Sequence, residues 1–160
     1  MRTFVAIILA LTAIVAGAFA GGDKAPRYQD FAVTNIFKGK PAEVDLSSHP
    51  QARSYRTELK RQAARGPDFA GHYKIAIWGC GTACAAFAIV DSQTGHVYFL
   101  PELPYVTFTD WDYTNSDLQF HIDSRLLVLH GSPKEQPKVG TFYYVWQTNT
   151  LRLIHYELKK

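Results

Sequence analysis

Sulfur is scarce in this chain: two cysteines, Cys80 and Cys84, and a single methionine at position 1. One bridge between residues four apart would pin a turn rather than hold a domain together. The histidines, at 49, 72, 96, 121, 130 and 155, are dispersed. They form no helical i, i+4 pair and no dense Cys/His array, so nothing indicates a metal. His72 and His121, both in strand-like runs, are the pair that could share a sheet face. There is no G-x-S-x-G, no P-loop and no dinucleotide fingerprint, hence no implied cofactor. Charge is scarce too. Seventeen basic residues against fourteen acidic ones, scattered along the chain, give +3 and no concentrated basic face of the kind nucleic acid needs. Beyond residue 20 no apolar run is long enough to cross a bilayer.

The first twenty residues differ from the rest. Arg2 supplies a positive n-region, Val5 to Val15 an apolar core, and Ala18-Phe19-Ala20 a small-residue cleavage site. This is the pattern of a secretory signal peptide, with no cysteine nearby to carry a lipid. Cleavage after Ala20 leaves 140 of the 160 residues and lowers the formal charge to +2. That length suits one globular domain, residues 21–160, able to bury a core. An exported chain with two cysteines is expected to oxidise them, so Cys80 and Cys84 are read as a disulfide.

The chain is organised around Phe69 to Asp91. From Gly71 to Trp78 the residues alternate, with Tyr73, Ile75 and Ile77 on one side and His72, Lys74, Ala76 and Trp78 on the other. That period of two predicts a strand. Ala85 to Val90 is apolar throughout and predicts a strand covered on both faces. Gly79 to Cys84 is the glycine-rich connection between them. Asp91 to Gly95 reads as a turn into a strand over His96 to Leu100. Upstream, Phe31–Phe37 and Ala42–Leu46 are candidate strands. Ser47 or Ser48 is expected to cap a helix running to about Ala64, with Pro50 in its first turn. Ala52, Tyr55, Leu59 and Ala63 form its apolar stripe, and Arg53, Arg56, Lys60, Arg61 and Arg65 a solvated basic surround. Downstream, strands are expected at Tyr105–Phe108, Leu118–Ile122, Arg125–His130, Thr141–Trp146 and Leu151–Tyr156, with a polar loop over Ser132–Lys138. The fold expected is α+β: an antiparallel meander of about seven or eight strands with one helix against it.

Two resemblances bear on this. L-Q-F-H-I-D-S-R-L-L-V-L-H-G, Leu118 to Gly131, and Tyr143 to Leu151 resemble the hairpins of a β-propeller blade. A 140-residue chain is too short for an ordinary closed propeller, so the implication is propeller-like hairpins in a meander. Phe69-Ala70-Gly71-His72-Tyr73, Trp78-Gly79-Cys80-Gly81-Thr82-Ala83-Cys84 and Gly140-Thr141-Phe142-Tyr143-Tyr144 resemble a group of short exported bacterial proteins. That resemblance implies export and a shared fold and carries over no catalytic residue.

Candidate chemistry concentrates in two places. The Cys80–Cys84 segment has a faint likeness to a cysteine-protease nucleophile, with His96, His121 and Asn115 as conceivable partners. That chemistry needs a free thiol at a helix start, and strand follows here instead. Asp110, Asp112 and Asp117 suggest calcium, yet the sixth and twelfth positions counted from Asp110 hold Asn115 and His121 where an EF-hand requires Gly and Glu. The same acids with Glu102 are the candidate pair for a glycosidase. Trp111 and Tyr113, with Asp110 and Asp112 flanking Trp111, mix aromatic and acidic groups as recognition loops do. The sequence therefore points to an exported, non-catalytic binding or accessory protein. Its contact residues are Trp111, Tyr113, Asp110, Asp112 and Thr82, and its partner is a protein or envelope ligand. The competing expectation is a small envelope hydrolase using carboxylates or histidine.

Overall fold

The computed structural model describes residues 24–108, 117–134 and 138–159. The expected signal peptide and Asp110, Trp111, Asp112 and Tyr113 lie outside the described residues. The helix α1 spans Arg56–Ala63. Eight strands follow: β1 Tyr73–Gly81, β2 Cys84–Asp91, β3 Val97–Tyr98, β4 Tyr105–Thr107, β5 Leu118–Phe120, β6 Leu126–Pro133, β7 Gly140–Gln147 and β8 Thr150–Leu158. All pairings are antiparallel. The order is β1-β2-β4-β6-β7-β8, with β3 also on β2 and β5 also on β6. The sheet is not closed, so β1 and β8 are edges and no propeller ring forms.

The alternation of β1 divides two cores. Ile75, paired with Ile89, and Phe87, paired with Ile77, face Leu127, Leu129, Phe142, Tyr144 and Trp146 from the far half of the sheet. Ala76, paired with Ala88, faces the other way with Val90 and Val97, against Ala52, Leu59 and Ala63. Ala76 and Ala88 are fully buried, and their small side chains let the helix lie close. Each fully buried large side chain in these layers contributes about 1.5–3 kcal/mol of transfer free energy. The two halves meet where β6 changes partner. Its first part pairs with β5, and Ser132 and Pro133 pair with β4. Gly131, at φ +150°, marks the change, and a Cβ there would collide with the Thr107 carbonyl. Close backbone approach explains glycine at this position.

β1 is an edge strand with its backbone capped by side chains. Gln62, buried on α1, donates to the Ile77 carbonyl at 2.6 Å and accepts the Ile77 N–H at 3.0 Å. Asp68 accepts the Ile75 N–H at 3.0 Å and pairs with Lys74. Such caps remove the exposed ladder that edge strands otherwise present.

Several expectations are corrected. Phe31–Phe37 and Ala42–Leu46 are not strands. Tyr28–Phe31 is a 3-10 turn, and Ala32 makes one isolated bridge to Ser124. The Ala42–Leu46 region is tied by single bonds, Ala42 N–H to Ser92 and Asp45 N–H to Gly95, rather than by a continuous ladder. The helix is shorter than expected. His49, not Ser47 or Ser48, caps a 3-10 turn at Pro50–Arg53, accepting the Gln51 N–H on Nδ1 at 3.2 Å, and α1 begins after it. Ser48 is diverted because its hydroxyl donates to the Asp45 carbonyl and accepts the Val97 N–H. The third strand contracts to two residues, and β6 runs through Ser132 and Pro133, which were expected in a loop.

Candidate functional site

The β1–β2 hairpin sets the geometry of one end of the molecule. Gly79 pairs with Ala85 and Gly81 with Cys84, leaving Cys80 as an extra residue in a bulge. A bulge re-aims a side chain, and here it brings Cys80 to Cys84: the two form a disulfide, with Cα atoms 5.2 Å apart. Thr82 and Ala83 make the tip, with Thr82 exposed and Ala83 at φ +54°. No cysteine is free. A thiolate nucleophile is therefore unavailable while the bridge is closed.

β4 lies alongside this turn. Cys84 pairs with Thr107, and the Phe108 N–H donates to the Ala83 carbonyl at 2.8 Å. The chain thus enters residues 109–116 directly beside the disulfide. It leaves them at Asp117, whose carbonyl accepts the His130 N–H at 2.6 Å. Of the five sequence-derived contact residues, the structure places Thr82 at the exposed tip, while Asp110, Trp111, Asp112 and Tyr113 lie outside the described residues.

Along the same hairpin, toward the helix, runs an aromatic groove of about 190 Å³. Tyr55 stacks on Trp78 at 4.5 Å, His49 tilts on Phe99 at 4.7 Å, and Trp78 meets Phe99 edge-on at 6.1 Å. Pro101 and Pro104 complete its wall. Trp78 is two residues before Cys80, and its strand partner Ala86 is two residues after Cys84. The groove therefore adjoins the disulfide end. Sequence reading missed it as a unit, although two signals were there: Tyr55 on the apolar helix stripe and Trp78 on the same side of β1 as Ala76.

The other candidates do not come together. His121 stacks on Tyr28 at 3.9 Å and His72 packs on Tyr73 at 4.1 Å. Among the described residues no three His, Cys, Asp or Glu side chains gather as a metal would require. Glu102 accepts the Leu151 N–H at 2.7 Å, a structural tie to β8. Among the described residues, the carboxyls displaced from their ordinary range, Asp30, Asp45 and Glu58, are held down by local hydrogen bonds from Arg27, Ser47 and Arg61. A general acid working near neutrality requires the opposite displacement. The basic helix face is solvent-exposed, with Arg61 paired to Glu58.

No family model, curated protein or solved structure matches the chain.

Proposed function

We propose that this is an exported, non-catalytic binding protein whose contact surface is the disulfide-pinned turn together with residues 109–116. What carries the reading is the Phe108 N–H to Ala83 carbonyl bond, which sets the residue before the acidic-aromatic segment against the bridged turn. The surface is then one patch contributed by two stretches of chain. Its residue types have the chemistry of recognition: a disulfide-pinned turn on one side, and aromatic and acidic side chains interleaved in sequence on the other. The aromatic groove at Tyr55, Trp78 and Phe99 extends the patch along the hairpin. Export supplies the oxidising surroundings in which such a bridge persists, and the N-terminal twenty residues have the pattern that directs it.

The test is capture of a partner from a cell-envelope extract by the exported protein, compared with Trp111→Ala and Tyr113→Ala. Both variants are expected to lose most of the capture at unchanged thermal stability. Undiminished capture by both removes residues 109–116 from the surface.

A further inference from the structure

The opposite end of the β1–β2 hairpin holds a second, chemically different cavity. It lies about 26 Å from the disulfide tip, eight residue steps along β1 at strand rise, and is independent of the contact surface proposed above. We propose that it binds a saccharide unit carrying one anionic group. The cavity is about 500 Å³, within the range of small-ligand sites. Its walls come from separate parts of the chain: Asn35 upstream, His72 beside β1, Gln93 after β2, Arg125 before β6, and Gln147 and Asn149 at the β7–β8 turn.

These walls are tied together by backbone bonds. Phe37 N–H donates to the Gly71 carbonyl and Gly71 N–H to that of Ile122, while Arg125 N–H donates to Phe31 and Trp146 N–H to Arg125. Gly71 sits at φ +88°, and a Cβ there would stand 2.6 Å from the Asn35 carbonyl. Only glycine lets the Phe69–Tyr73 turn press this closely on the upstream segment. Such ties pre-organise a site before a ligand arrives.

The side chains then define the ligand. The Arg125 guanidinium makes no ion pair among the described residues, and no carboxylate lines the cavity. Asp91, whose charge reaches Tyr73, is engaged with the Gln93 N–H at 2.8 Å. An uncompensated guanidinium fork matches a carboxylate or phosphate. The same lining carries four carboxamides, Asn35, Gln93, Gln147 and Asn149. Each can donate and accept, as neighbouring sugar hydroxyls demand. Tyr73, half-buried and packed edge-on against the buried Trp146 at 5.2 Å, adds an aromatic edge to the lining. One cation, several amides and an aromatic edge suit an acidic sugar better than a bare anion or an apolar compound.

Calorimetric titration of the full exported protein with trigalacturonate, glucose 6-phosphate and neutral galactotriose tests this. Binding of either acidic probe about tenfold tighter than galactotriose is expected, the effect of one charge-assisted hydrogen bond. Which acidic probe wins tells carboxylate from phosphate. Arg125→Gln should abolish the preference for charge, and Arg125→Lys should keep most of it. Asn149→Gly, which preserves the turn at φ +66°, should weaken all probes that bind. Absence of binding by every probe, equal affinity for charged and neutral sugars, or a preference unchanged in Arg125→Gln overturns the proposal.

Discussion

Phe108 N–H donates to the Ala83 carbonyl at 2.8 Å, one residue beyond the Cys84–Thr107 pairing. This bond ties Phe108, the last described residue before position 109, to the disulfide turn. The bridge closes a five-residue loop, for which chain entropy gives about 2 kcal/mol. Cys80→Ser with Cys84→Ser is therefore expected to lower unfolding free energy by about that amount while the protein still folds. Amide exchange should accelerate most at Phe108 and the hairpin tip, and little at Ile75 or Leu127. Uniform acceleration across both cores would show that the bridge holds the whole domain.

Gln62 and Ile77 make a reciprocal pair of bonds between helix and edge strand. Gln62→Ala leaves the Ile77 N–H and carbonyl without these partners. The expected loss is about 1–3 kcal/mol in a urea titration, the range for orphaned polar groups. Gln62→Leu should lose a similar amount despite its apolar bulk. If it instead matches the parent chain, the contribution of Gln62 is volume rather than edge capping.

Burial pushes the Tyr144 phenol up to about 12 from an ordinary 10.0, and burial also raises Tyr73. The folded protein thus keeps these protons at pH values where the unfolded chain releases them. The associated stability is fully present below about pH 10 and falls as pH rises toward 12. Denaturation midpoints measured across that interval should decline, and Tyr144→Phe should flatten the decline. A variant that declines as steeply as the parent assigns the effect to other groups.

What the sequence made legible was local. The alternation of Tyr73, Ile75 and Ile77 against Ala76 and Trp78 predicted the two faces of β1, because period two depends only on neighbouring residues. The disulfide followed from cysteine count and expected export, and the bulge at Cys80 supplies its geometry. Segments bound by single tertiary bonds were misread. Ala42 and Asp45 look strand-like yet meet the Ser92–Gly95 turn one bond at a time. The helix start failed because Ser48 is claimed by Asp45 and Val97, a partnership 49 residues long that no local pattern records. The aromatic groove and the Arg125 cavity were equally hidden. Tyr55, Trp78 and Phe99 meet only through packing, and the cavity gathers residues from Asn35 to Asn149.

The central claim is that partners meet the bridged tip. A photo-crosslinking residue placed at Thr82, exposed at the turn, tests it against one at Thr57, exposed on α1. Illumination of cells exporting each protein is expected to trap a discrete adduct from position 82 and none from position 57. Equal adducts from both positions, or an adduct from position 57 alone, would contradict it.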